Sequence, residues 1–222
     1  MVISPKADIF LDAELKVYSE YVRMGASFPI IDGNEKVVEI KLPVRSSDGT
    51  VMFERAFLKK EDTSSGFLDY TPRSIIDQAF KLLNAPYGWG GMYGEQDCSR
   101  FLQEVFATVG INLPRDSKDQ AKIGTLVKAF DVNVKDEEKL DILKQAFVGA
   151  TILPIKGHIM LYLGQVDGYP FAIHATWGYR ERALHGDRVR VLNRVVVSDL
   201  SLGEGSKKGS LLRRLKSINI VQ

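Results

Sequence analysis

The rhythm of apolar and polar positions changes along this chain. Over the first 60 residues it is short. Val37-Val38-Glu39-Ile40-Lys41-Leu42 alternates in part and predicts a half-buried strand. Val51-Met52-Phe53-Glu54-Arg55-Ala56-Phe57-Leu58 predicts a second strand. Between them, Ser46-Ser47-Asp48-Gly49-Thr50 carries the Asp-Gly hairpin signal. Asp32-Gly33-Asn34 marks a further turn. Short strands with closely spaced turns predict a small all-β barrel over residues 1–60. Glu61-Asp62-Thr63-Ser64-Ser65-Gly66 then reads as the start of a linker, taken as 61–74.

Beyond residue 74 the period lengthens. Ile75, Ile76, Ala79, Phe80 and Leu83 share one helical face, and Asn84-Ala85-Pro86 ends that helix. A glycine-rich stretch, 87–94, follows. A second helix is predicted over 97–109, with Phe101, Leu102, Val105, Phe106 and Val109 on its apolar face and Gly110 as its stop. A polar helical segment spans 135–147. Strands are predicted at 159–163, 171–175 and 189–197. Helices first and antiparallel strands afterwards make an α+β pattern. The tail, 199–222, carries Lys207, Lys208, Arg213, Arg214 and Lys216, and reads as a solvated basic segment.

Composition narrows the chemistry. The 222 residues are 45% hydrophobic and 26% charged with a net charge of +2, which suits a packed globular protein of one large domain or one with a small companion. The near balance of charge argues against a nucleic acid partner. One cysteine excludes a disulfide within the chain and any multi-cysteine metal cluster. The most apolar stretch, 148–164, is broken by Pro154, Lys156 and His158, so no transmembrane segment is expected. Asp8, Asp12 and Glu14 stand where a signal peptide needs an apolar run.

The single thiol is the main chemical lead. Cys98 follows Asp97, a good N-cap residue, and so opens the second helix. Unpaired amides and the helix dipole are expected to lower its pKa there. A free cysteine is more often a small buried hydrophobe. The glycine-rich loop before Cys98 and its polar neighbours favour a nucleophile. Such a thiol needs an imidazole base oriented by a third group. His158 and His174 lie on consecutive predicted strands, so each is within reach of the other, whereas His185 falls in a turn. A zinc site from Cys98, His158 and His174 is the weaker reading, because no closely spaced ligand pair exists.

Five blocks carry a resemblance: Pro86-Tyr87-Gly88-Trp89-Gly90-Gly91; Asp97-Cys98-Ser99; Leu113-Pro114-Arg115-Asp116-Ser117 with Gln120; Gly157-His158; and Ile173-His174-Ala175. In that order they resemble the NlpC-type family of papain-like cysteine peptidases of bacterial cell-wall peptides, and 1–60 resembles the bacterial SH3 modules often joined to them. The resemblance implies a papain-like α+β domain over 75–222, with an antiparallel sheet on helices, behind an SH3-like barrel.

It implies Cys98 as nucleophile, His158 as general base and His174 as the group orienting it. It also implies Tyr87 at the oxyanion and Ser99, Asp116 and Ser117 at the substrate. Neither cofactor nor metal is implied. Asp116 reads equally well as a helix cap. The implied substrate is a murein peptide cut between γ-D-glutamate and diaminopimelate or lysine. The implied place of action is the periplasm or cell surface if a leader precedes this sequence, and cytoplasmic recycling otherwise.

Departures are Arg100 where glycine is common, the absence of Pro-Gly-Asp before the first histidine strand, and a long loop, 165–170, between the histidine strands. The competing readings are a catalytically silent wall-binding protein, or an amidase or acyltransferase on the same core.

Overall fold

The computed structural model describes residues 1–131 and 133–222. The chain divides into two units: Met1–Asp69 with Glu104–Ile111, and Tyr70–Gln103 with Asn112–Gln222.

The first unit carries five antiparallel strands: β1 (Lys6–Phe10), β2 (Tyr18–Arg23), β3 (Ile30–Gly33), β4 (Val37–Arg45) and β5 (Val51–Lys59). They lie in the order β2-β1-β5-β4-β3. The two predicted strands are the central β4 and β5. Their register sets Val38 against Leu58 and Ile40 against Ala56. The alternation read in the sequence is therefore the buried face, which packs with Val2, Ala7 and Ile9. The Asp48-Gly49 turn forms as expected: Thr50 donates its amide to Asp48 Oδ1 at 2.9 Å. β1, β2 and β3 were not predicted. β2 and β3 are edge strands with little or no buried face, so they leave no period-2 signal.

Among the described residues the second unit holds α1 (Pro72–Lys81), the first turns of α2 (Cys98–Ala107), whose residues 104–107 fall in the first unit, α3 (Ser117–Gln120) and α4 (Asp136–Leu143). Thr71 caps α1 by accepting the Ser74 amide at 3.1 Å, and Pro72 occupies the first turn, where its missing N–H costs nothing. Six strands complete the unit: β6 (Thr125–Ala129), β7 (Thr151–Ile155), β8 (His158–Val166), β9 (Tyr169–Ala183), β10 (Gly186–Asp199) and β11 (Ser217–Ile220). They form one antiparallel sheet in the order β10-β9-β8-β7-β11-β6. Leu143, Leu153, Met160, Tyr162, Leu200 and Ile218 fill the core on one face of it. Among the described residues no helix is long and apolar enough to cross a membrane, and the apolar stretch near 148–164 is β7 and β8.

Two expectations are corrected here. The connection at 165–170 is no long loop. β8 and β9 run on until Val166 faces Tyr169, and Asp167-Gly168 turns between them with φ of 50° and 82°. Both central residues are left-handed, as in the two-residue turns that match strand twist. The tail is not a solvated segment either. Leu211, Leu212, Leu215, Ile218 and Val221 are buried, and β11 pairs with β7 and β6. Lys139 of α4, only 2% exposed, donates from Nζ to the carbonyls of Arg213 at 2.7 Å and Leu212 at 3.3 Å. A buried ammonium needs such acceptors, and here they fix the tail.

Candidate active site

Asp97 organises the start of α2. Its Oδ1 accepts the amides of Arg100 (2.8 Å) and Ser99 (3.1 Å) and the Ser99 hydroxyl (3.0 Å). These are the orphan donors of a helix N-terminus. Arg115 holds the same carboxylate, with Nη2 2.5 Å from Oδ2 and Nη1 3.2 Å from Oδ1, and Nη1 also donates to Ser99 Oγ at 2.8 Å. Burial opposes ionisation of Asp97. The Arg115 guanidinium, the Arg100 amide and Ser99 outweigh it and hold the carboxyl below the usual range. Gln120 of α3 ties the arrangement down, donating to the carbonyls of Ser99 and Pro114, each at 2.8 Å.

Cys98 is the first residue of α2 and is buried. Its thiol does not have the lowered pKa expected from the helix start. Burial, and then the Asp97 charge, push it up to about 11. The backbone amides of Ile159, Ser99 and Cys98 itself pull the other way without prevailing. The carboxylate that caps the helix offsets the positive end of its dipole. Ile159 follows His158 at the start of β8.

The imidazoles meet. His158 Nε2 lies 2.7 Å from His174 Nδ1, with ring centroids 4.9 Å apart. β8 and β9 place Leu161 opposite Ile173. Continued by one pair, that register brings 174 within two residues of His158 on the same face. Burial first, and then Arg214, pull His158 down to about 4. Burial and the neighbouring His158 take His174 well below its usual value. Beyond His174, its Nε2 lies 3.0 Å from the Ser198 hydroxyl of β10. The resulting relay runs His158, His174, Ser198.

Sequence reasoning missed Ser198. A serine at a strand end carries no signal of its own. The β9–β10 register, which sets Val196 opposite His174, is what puts Ser198 on the same face one step along. Arg214 was missed because its segment was read as solvated.

Tyr87 is half-buried, edge-on to Trp89 at 5.5 Å, and Trp89 lies 6.1 Å from Trp177. Its amide donates to the Asn193 carbonyl at 3.1 Å. Burial, and then charge at Cys98 and Asp97, raise the phenol to about 12, so it remains a proton donor. The glycine-rich loop, 89–94, takes left-handed conformations at Gly90, Gly91 and Gly94. A Cβ on Gly91 would stand 2.8 Å from Arg100 Nη1. Arg100, the bulky neighbour of Cys98, reaches back to this loop and meets the Gly91 carbonyl at 3.5 Å.

The remaining expected residues lie in other positions. Asp116 precedes α3, is exposed, and makes no capping hydrogen bond with its side chain. Ser117 opens the same short helix. Neither lines the groove beside the imidazoles. The Ser99 hydroxyl is engaged by Asp97 and Arg115. His185 sits exposed in the β9–β10 turn. Among the described residues no group of three His, Cys, Asp or Glu side chains is placed to hold a metal ion.

The site thus brings together a buried thiol at a helix start, an imidazole pair on adjacent strands and a protonated phenol. Residues 84–181 match the NlpC/P60 family. It is 31% identical over 122 residues to the gamma-D-glutamyl-L-lysine dipeptidyl-peptidase of Bacillus subtilis (strain 168), a match covering 50% of this chain and 41% of that protein. It is 34% identical over 124 residues to the gamma-DL-glutamyl hydrolase of the same organism, covering 55% of this chain and 26% of the relative. The chain thus spans less than half the length of these relatives. In fold it is similar to an NlpC/P60 endopeptidase from Photobacterium damselae subsp. piscicida. That likeness has a TM-score of 0.70 at 20% identity, over 99% of this chain and 51% of that one.

Proposed function

We propose that this chain is a cysteine peptidase of bacterial cell-wall peptides, cleaving the amide that joins γ-D-glutamate to a diamino acid. The observation that carries the reading is the imidazole pair, His158 Nε2 to His174 Nδ1 at 2.7 Å, on strands of the same unit as the buried Cys98 thiol at the start of α2. With Nε2 of His158 turned to His174, Nδ1 is left for the thiol. The shared γ-glutamyl chemistry in the names of the two Bacillus relatives supports the bond.

The chemistry is acyl transfer. Thiol and imidazole are both neutral at rest, so His158 takes the Cys98 proton as sulfur attacks the γ-carbonyl carbon. The Tyr87 hydroxyl donates to the oxyanion. The tetrahedral intermediate collapses, the C–N bond breaks, and His158 returns the proton to the leaving amine. A water, deprotonated by His158, then releases the acid from the thioester and restores the thiol. For His158 to accept at Nδ1, its Nε2 must carry hydrogen and donate to His174 Nδ1. His174 must then donate from Nε2, and Ser198 Oγ is the acceptor in place.

On the acyl side, Asp116 would hold the free ammonium of an N-terminal L-alanine, with Ser99 and Ser117 beside it. We read residues 1–60 as an SH3-like module, 61–74 as a linker and 75–222 as the peptidase domain. The separate core of the first unit supports the first of these.

The test is incubation with defined murein tri- and tetrapeptides, with and without a free L-alanine terminus, and products identified by mass. Cleavage after γ-D-glutamate that disappears in Cys98→Ala is expected. Undiminished cleavage by that variant would refute the reading.

A further inference from the structure

We infer that the groove beside the two imidazoles receives a leaving group that bears an extra carboxylate, and that Arg214 is the residue that selects it. The inference rests on the acyl-transfer reading above and extends it to the other side of the scissile bond.

A groove of about 330 Å³ has His158 and His174 in its wall. Its lining also includes Lys156, Arg180, Lys208 and Arg214, and no aspartate or glutamate. Four cations without an acid stand out in a chain whose net charge is only +2. Cys98, Ser99, Arg115 and Asp116 do not line it, so it extends on the histidine side of the thiol. His158 must stand within hydrogen-bond reach of the leaving amine to protonate it. Whatever hangs from that amine therefore enters this groove.

Arg214 is the distinctive member. It is half-buried, and among the described residues it has no carboxylate partner. Desolvation lowers its pKa, and its charge is felt at His158. A partly buried, unpaired cation costs stability unless something compensates it. The fold nonetheless holds its segment firmly, by the buried Leu211, Leu212 and Leu215 and by Lys139 on the carbonyls of Leu212 and Arg213. A planar guanidinium held in place matches a carboxylate through two parallel hydrogen bonds. A bound carboxylate would also offset the Arg214 charge, the smaller of the two causes that lower His158, after burial.

The chemistry required is an α-amino group on a residue carrying a free carboxylate beyond it. Diaminopimelate meets this through its distal carboxylate, and a γ-linked glutamate through its own γ-carboxylate, each in addition to the α-carboxylate that a C-terminal lysine also carries. Lysine places an ammonium there instead.

The experiment compares kcat/KM for three peptides with the same L-Ala-γ-D-Glu acyl part, followed by meso-diaminopimelate, by γ-linked D-glutamate, or by L-lysine. At least one of the two peptides with a second carboxylate on the leaving residue is expected to exceed the lysine peptide by about tenfold or more, and which one leads tells a wall peptide from a polyglutamate source. In Arg214→Gln that ratio is expected to fall by about tenfold, with Arg214→Lys in between. The lysine variant also serves if the glutamine variant does not fold. A wild-type preference for lysine, or an equal loss on all three peptides in Arg214→Gln, would overturn the inference while leaving the cysteine peptidase intact. Cleavage of none of the three would remove the peptidase reading and this inference with it.

Discussion

Replacing Asp97 by alanine tests how the site is built, independently of what it cleaves. The substitution removes the acceptor of two amides at the start of α2, those of Ser99 and Arg100. Loss of an N-cap side chain costs about 1 kcal/mol. It also strands Arg115, whose side chain is 44% exposed and so remains partly hydrated. For a pair of that exposure a further ~0.5–1 kcal/mol is appropriate after screening. The expected loss is therefore about 2 kcal/mol, or roughly 4–8 °C in Tm for a chain of this size.

Asp97→Asn should cost about half as much, because asparagine caps as well as aspartate but forms no ion pair. The pH dependence has a definite sign. The Asp97 pKa is held down, so its electrostatic contribution is complete above the ordinary carboxylate pKa near 3.8 and is lost as pH falls through the folded-state value. Urea unfolding followed by circular dichroism, at pH 7 and again near pH 3, measures both. A loss below ~0.5 kcal/mol for the alanine variant would refute the reasoning, as would equal losses for alanine and asparagine at pH 7.

Three further outcomes follow from the same geometry. His158 is pulled from 6.5 to about 4, so the unfolded chain binds its proton first and stability falls as pH drops between those values, by up to ~3 kcal/mol. Denaturant midpoints across that range should be flatter in His158→Gln, and an identical slope would contradict the burial argument. With the Cys98 thiol near 11, alkylation by iodoacetamide should be slow at pH 7 in the free protein and accelerate towards pH 11; rapid labelling near pH 6 would show a resting thiolate–imidazolium pair instead. Ser198→Ala removes the acceptor that sets the His174 tautomer, so kcat should fall by about tenfold with KM little changed and with partial rescue by Ser198→Thr. A change in KM alone would assign Ser198 a different role.

The parts of the fold that were legible in the sequence are those whose burial follows a period. Val38, Ile40 and Leu42 alternate because one face of β4 packs inward, and the hairpin after them is written in Asp48-Gly49. α2 was legible because Phe101, Leu102, Val105 and Phe106 repeat at helical spacing and are all buried. β7 escaped because all five of its residues are buried, which leaves an apolar run without a period, and Pro154 interrupts it. The tail escaped because its cations dominate its composition. Yet Leu211, Leu212, Leu215 and Ile218 were visible between them, and they carry the segment into the core.

At the site, the thiol and imidazoles were legible because they are scarce: one cysteine and three histidines leave few combinations. Their protonation was not. The helix start suggested an acidic thiol, whereas the burial and the Asp97 charge that reverse this are properties of packing. Ser198 and Arg214 reach the imidazoles through strand register and through a folded tail, and neither leaves a trace in local sequence.

The central claim is that Cys98 forms a thioester with the γ-glutamyl carbonyl. The most direct measurement is intact-mass analysis of the protein quenched in acid during turnover of an L-Ala-γ-D-Glu-diamino acid peptide, with the adduct mapped by proteolysis. The account predicts a mass increase equal to the L-Ala-γ-D-Glu acyl group, on the peptide containing Cys98, chased away by longer incubation and absent from Cys98→Ala. Turnover with no adduct under any quench time, together with cleavage by Cys98→Ala, would contradict it.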